Sequence, residues 1–272
     1  MRTILVEMPD TSEPYEVTRL LSNERSNAKL RKSAGGEWLL YGLSLAPAKV
    51  SGHQVCASSS AGCRKACIFT SGCGGYPSVS LARIARTRAW FQKRGEFKEK
   101  FLEELGNAER LAERRGRRLG VRLNVFSDIM WENIFPEVFT EFPEVTFYDY
   151  SKHFERMMKF CRGDSFPANY YLTFSRSENN WDQCHEVLKA GRNVSVPFTI
   201  NQVMHPENNV PLPKRYKGFK VFNGDETDLR FLDPQGVIVG IKTKGMGFWD
   251  DSGFTVNVFK KSKMKRDNHV AV

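Results

Sequence analysis

VRLNVF, residues 121–126, is the first of several short apolar runs that decide the fold class. VTFYDY (145–150), YYLTF (170–174), NVSVPF (193–198), FKVFN (219–223) and GVIVGI (236–241) follow it. Each has the length and the β-branched or aromatic content of a buried strand. Some are separated by segments with helical spacing, such as HFERMMKFC (153–161) and NWDQCHEVLKAG (180–191). A repeat of about 25 residues matches successive βα units, which build a parallel sheet. The expectation is an α/β fold, with a partial or complete parallel (β/α) barrel of roughly six to eight strands. A doubly wound sheet would leave the same pattern.

Working outward from these runs, polar residues stand just after each one. In parallel α/β folds such positions converge on one rim, where ligands bind. Ser127 and Asp128 follow the first run; Ser151, Lys152 and His153 the second; Ser175, Arg176 and Glu178 the third. NVSVPF leads to Thr199 and Asn201, FKVFN to Asp225, Asp228 and Arg230, and GVIVGI to Lys242 and Lys244. Ser and Asp can stand there simply as helix caps. That reading accounts poorly for Arg176, Arg230 and Lys244. We take Asp128, Asp225 and Asp228 as candidate catalytic or ligand-positioning carboxylates. Arg176, Arg230 and Lys244 are candidates to hold a phosphate- or carboxylate-bearing ligand. An internal Asp225–Arg230 salt bridge is the competing expectation.

Upstream lies SGHQVCASSSAGCRKACIFTSGCGG, residues 51–75, dense in small residues and expected to be a loop wrapped around something compact. Cys56, Cys63, Cys67 and Cys73 fall in it at C-x6-C-x3-C-x5-C spacing. The N-terminus, MRTILVEMPDTSEPYEV, meets acidic residues and prolines too soon for a signal-peptide apolar region. A reducing compartment is then the default, and metal binding explains the clustering better than disulfides. No CxxC pair is present, which disfavours thioredoxin-like redox chemistry and an ordinary zinc ribbon. Long, uneven spacings suit a [4Fe-4S] cubane, with zinc as the alternative. Backbone N–H groups of Gly62, Gly72, Gly74 and Gly75 would donate to its sulfides. Four thiolates close every iron; three would leave one open for S-adenosylmethionine and radical chemistry. Cys63 and Cys67 match the first half of the usual C-x3-C-x2-C radical motif, but the next cysteine comes too late. Cys161 and Cys184 read as buried helix residues rather than ligands. His53, three residues before Cys56, reads as a surface residue or a neighbour of the ligands, with replacement of one thiolate as the alternative.

From Pro77 to about Gly120 the pattern is helical, with joints expected at Gly95 and Gly106. This stretch is basic, and a second basic run, KKSKMKR, begins at Lys260. With a formal net charge of +10, nucleic acid or another polyanion is a candidate partner. Trp90 and Phe91 beside these cations would stack on bases if exposed, or else belong to the core. No stretch has the length of a membrane span, so no membrane partner is expected. The organisation reads as an N-terminal arm (1–42), a metal loop with a barrel-like core (43–245) and a C-terminal extension (246–272).

Four segments carry a family resemblance: LAPAKVSGHQVCASSSAGCRKAC (45–67), LARIARTRAWF (81–91), VRLNVFSDIMWE (121–132) and FNGDETDLRFLDPQGVIVGIKTKG (222–245). Together they resemble the phage gene product 88 family, from about Leu43 to Gly245. The resemblance implies a bacteriophage or prophage protein in the cytoplasm of the infected bacterial host, or one associated with the virion. It implies no particular reaction. It draws attention to the four cysteines, to Arg83, Arg86 and Arg88, and to Arg122, Asn124, Ser127, Asp128 and Trp131. Asp225, Asp228, Arg230, Asp233 and Lys244 complete the set. Of these, Arg83, Arg86 and Asn124 are candidate cofactor-binding residues. The leading expectation is a cluster-bearing protein with an enzyme-like rim. Its rivals are a metal-stabilised nucleic-acid-binding or regulatory protein and a phage structural protein with a structural cluster.

Overall fold

A computed structural model describes residues 3–9, 13–26, 30, 36–200 and 210–258. Five of the six apolar runs form strands over most of their length, whereas VRLNVF contributes only Val121 and Arg122 to a strand that begins upstream at Arg118; the sheet they build is mostly parallel. β4 (Trp38–Leu43), β5 (Arg118–Arg122), β6 (Thr146–Ser151), β7 (Tyr170–Ser175) and β8 (Val194–Thr199) lie side by side in chain order. β11 (Ile238–Lys242) pairs parallel with β8, and β10 (Phe219–Asn223) pairs parallel with β11. Antiparallel strands end the sheet on both sides, β3 (Leu21–Asn23) on β4 and β9 (Arg215–Tyr216) on β10. β12 (Val256–Asn257) adds to the end of β8.

Strands added in one direction place their crossover helices on one face, as in a barrel and unlike a doubly wound sheet. Among the described residues the two antiparallel edges do not meet, so the sheet is open and no closed barrel is formed. Alternation along each strand separates two layers. Leu39, Val121, Phe147, Phe174, Val196 and Phe198 face the helices and build the main core with Trp90, Phe101, Val138, Met157 and Val187. On the other face, Trp38 and Leu40 pack with Leu30, Leu229 and Phe231. The chain between β10 and β11 crosses back over this face. Phe231 reaches Trp38 of β4 (ring centroids 4.7 Å), Tyr148 of β6 (5.4 Å) and Tyr171 of β7 (5.8 Å). A covering segment thus does what barrel closure would have done, burying the inner face of the strands.

Two helices, Pro77–Gln92 and Arg94–Arg114, connect the cysteine region to β5. Their joint is Lys93 (φ −133°, ψ 48°), not Gly95 or Gly106, both of which lie inside the second helix. Trp90 is 1% exposed, inside the core, whereas Phe91 is 37% exposed. β1 (Ile4–Val6) and β2 (Tyr15–Val17) form a separate antiparallel pair, and Ile4, Val6 and Val17 join the main core. Residues of the N-terminal arm therefore belong to the same core as the strands that follow. Among the described residues no helix is long and apolar enough to cross a membrane. The KKSKMKR run and Asn201 lie outside the described residues.

Candidate metal and ligand site

The carboxyl ends of the parallel strands open onto a cavity of about 1310 Å³, and all four clustered cysteines line it. The cysteine segment is not plain loop. Cys63 lies in a short helix, Ala61–Lys65, and Cys73 in a 3-10 turn, Gly72–Gly75. Ser60 caps that helix, its Oγ accepting from the Cys63 N–H (3.1 Å). Glu178, beyond the end of β7, accepts from Ser60 Oγ (2.7 Å) and from the Gly62 N–H (2.9 Å). Burial works against the Glu178 charge, yet these donors hold its carboxyl below the ordinary range. The Asp128 N–H donates to the Val55 carbonyl (2.8 Å), which fixes the segment before Cys56 to the loop that follows β5.

None of the six cysteines is in a disulfide. Cys56 Sγ accepts from the Ala48 N–H (3.3 Å) and lies 3.3 Å from the Phe126 carbonyl oxygen. Burial pushes its thiol up to about 11; the Ala48 N–H opposes this, and Asp128, Cys67 and Cys63 add to it. Cys56, Cys63 and Cys67 are partly buried, and Cys73 is exposed. Among the described residues, no three His, Cys, Asp or Glu side chains come together as a metal-binding group, so the four cysteines line one cavity without being gathered into a ligand set. Two of the expected backbone donors are already engaged: the Gly62 N–H by Glu178 and the Gly74 N–H by the Ser71 carbonyl. The His53 ring lies flat on Phe91 (4.2 Å, 5°). Cys184 is buried in its helix, and burial pushes it up to about 12.

The rim residues divide into those that face the cavity and those built into the protein. Asp128, Asp225 and Asp228 all line it, and each is already paired. Asp128 accepts from Ser151 Oγ (2.8 Å) and the Lys152 N–H (2.8 Å), and meets Arg156 at 3.3 Å. Asp225 accepts from the Lys242 N–H (2.6 Å) and from Lys244 Nζ (3.1 Å). Asp228 takes both oxygens to one Arg122 nitrogen (3.2 Å each) and accepts from the Tyr148 hydroxyl (3.3 Å). The Asp225–Arg230 bridge does not form. Arg230 pairs with Asp233 (3.2 Å), both 1–2% exposed at the side chain, and it donates to the Thr227 carbonyl. Arg230 holds the covering segment together and does not line the cavity.

Arg176 lines the cavity and donates to the carbonyls of Gly253 (2.7 Å) and Phe254 (2.6 Å). It therefore clamps the segment after β11, whose Phe248, Phe254 and Thr255 form part of the cavity wall. Lys65 adds a second tie to that segment through Asp251 (2.7 Å). Asn124 also lines the cavity, but its amide is fully engaged. It donates to the Ile129 carbonyl (2.9 Å) and Asp149 (3.1 Å), and accepts from Ser127, the Ile129 N–H and Trp131. Its role is to shape the turn after β5. Arg83 and Arg86 do face the cavity, one helical turn apart.

Glu178 stood in the sequence as one polar residue after a strand, and nothing there linked it to Ser60. The buried Arg156, bidentate to Glu132 (2.7 and 2.8 Å) and bonded to the Tyr170 hydroxyl (2.8 Å), carried no signal at all. It holds Asp128 from behind.

A family model described as Gene product 88 matches residues 19–261. Neither the curated proteins nor the solved structures give a match.

Proposed function

We propose that this chain, which belongs to the Gene product 88 family, is a phage iron–sulfur protein whose cysteine segment holds a [4Fe-4S] cluster in the wall of a ligand cavity. The observation that carries the reading is the convergence of Cys56, Cys63, Cys67 and Cys73 on one cavity at the carboxyl ends of parallel strands. That rim is where α/β sheets bind ligands. Four free thiols spread over a loop, a short helix and a 3-10 turn suit a cubane, whose irons face in several directions. Zinc, which draws four ligands around one ion, is the alternative occupant of the same cysteines.

Cavity size supports a second occupant. Small-molecule sites usually enclose ~300–1,000 Å³, and about 1310 Å³ leaves room for a cluster and an organic ligand together. Asp128, Asp225 and Asp228 are tied to cations and serve to shape this cavity, with Lys244 exposed at its mouth. Action in the cytoplasm of an infected bacterium keeps the thiols reduced; association with the virion is the other location consistent with the family. The nucleic-acid reading loses Trp90, which is buried.

The test is anaerobic purification of single Cys→Ser variants at 56, 63 and 67, with iron content measured after desalting. Each is expected to lose most of its iron while Cys161→Ser keeps it. Iron that is absent from the unaltered protein, or indifferent to all three changes, sinks the proposal.

A further inference from the structure

The cavity has a charge imbalance that a cluster site alone does not explain. Ten Lys and Arg residues line it against three Asp, and every one of those Asp is paired with Arg156, Lys244 or Arg122. Three of the cations stand together. The Arg86 Nε donates to the Arg19 carbonyl (2.8 Å), and Arg83 lies one helical turn before Arg86. Arg83 donates to the Phe69 carbonyl (2.7 Å), its guanidinium 4.4 Å from the Phe126 ring centroid and 5.1 Å from that of Phe69. Among the described residues none of the three forms a salt bridge. Burial first, then Arg86, holds the Arg83 guanidinium below its ordinary range; burial does the same to Arg86, opposed by Glu104 and Tyr15 and reinforced by Arg19. Arg83 also feels Cys67, whereas Arg86 feels Arg19 and Glu104 and no cysteine. Arg83 is tied to the cysteine segment through the Phe69 carbonyl, and Arg86 lies one helical turn beyond it, tied to the Arg19 carbonyl.

Like charges gathered in a partly buried place are costly until an anion joins them. Guanidinium forks match oxyanions, and a phosphate offers three acceptor oxygens and nearly two charges where a carboxylate offers two oxygens and one charge. We infer that Arg19, Arg83 and Arg86 form a phosphate site, which anchors a small phosphorylated organic ligand with its body turned toward the cysteine wall. A site recessed in a cavity and lined by Phe126, Ile68 and Val79 favours a small molecule over a nucleic-acid backbone lying on an open groove. The inference rests on reading this cavity as a ligand site, and it does not require the cluster.

The experiment measures inorganic pyrophosphate binding to the full chain by calorimetry at low salt, with iron content determined on the same samples. Arg19→Gln and Arg86→Gln are compared with Arg118→Gln, an exposed arginine at the amino end of β5. The first two are expected to weaken pyrophosphate binding about tenfold or more, with iron content unchanged and Arg118→Gln without effect. Arg19 is exposed and outside every strand and helix, so its variant keeps the test valid if Arg86→Gln fails to fold. No binding by the unaltered protein overturns the inference, as does an equal loss in all three variants. Tight binding of a random single-stranded oligonucleotide without pyrophosphate binding also overturns it, in favour of nucleic acid. An iron-free protein that still binds pyrophosphate through Arg19 and Arg86 would refute the cluster and leave this site standing.

Discussion

Removing the Asp228 carboxylate separates a structural role from a catalytic one at the cavity floor. Asp228→Ala leaves the Arg122 guanidinium, 6% exposed at the side chain, without its carboxylate. The Nε of that guanidinium already lacks a partner among the described residues. Breaking a buried ion pair from one side costs ~3–5 kcal/mol. For a domain of this size that corresponds to a fall of about 10 °C in melting temperature. The loss is concentrated in one place, because Asp228 lies on the segment that crosses from β10 back over β5 and β6. Replacing both partners, as Arg122→Met with Asp228→Leu, removes the stranded charge and should restore most of the stability. Urea unfolding of the two single variants and the double variant completes a cycle, with a coupling energy of at least ~2 kcal/mol expected. If Asp228→Ala unfolds within ~1 kcal/mol of the unaltered protein, the pair is not structural and Asp228 returns as a catalytic candidate.

Glu178→Gln weakens the tie between the end of β7 and the Cys63 helix. It should shorten cluster lifetime in air several-fold while costing no more than ~1–2 kcal/mol of global stability; unchanged lifetime would deny Glu178 that role. Trp90 sits in the core with its ring 4.9 Å from Trp131 and 5.2 Å from Phe97, so Trp90→Ala should cost ~3–5 kcal/mol. A stable Trp90→Ala protein that had lost oligonucleotide binding would instead support base stacking. Burial pushes the Asp149 carboxyl up to about 7 from 3.8, against the donors Tyr170 and Asn124 and the charge of Arg156. The folded protein then holds an extra proton between those values, so the stability from this group is present at low pH and is lost as pH rises through about 7. Relative to Asp149→Asn, the unaltered protein should be more stable at pH 5 than at pH 8 in urea titrations. A pH-independent difference would mean an always-ionised Asp149.

The central strands were legible because β6, β7 and β8 are buried on both faces or nearly so, which leaves continuous apolar runs such as VTFYDY and NVSVPF. Their common direction followed from the helical segments between them. Closure was not legible. The DETDLRFLDP stretch has no periodicity to announce that it covers the sheet, and β11 enters between β8 and β10 without a sequence signal. Gly106 misled because a helix packed along one side tolerates glycine, and the break fell at Lys93, where the backbone leaves the helical region. At the site, residue type located the cavity but not the allocation of charges. Asp128 and Asp225 were visible as rim carboxylates. Their partners, Arg156 within a helix and Lys244 beyond a strand, depend on three-dimensional register. Arg19 was missed entirely, since it stands alone in a polar arm and meets Arg86 only through the fold.

Metal analysis of anaerobically purified protein decides whether the cysteine segment holds a cluster. A [4Fe-4S] site gives a brown protein with about four iron and four sulfide per chain, and little zinc. One zinc per chain without sulfide, or no metal at all, would contradict the cluster.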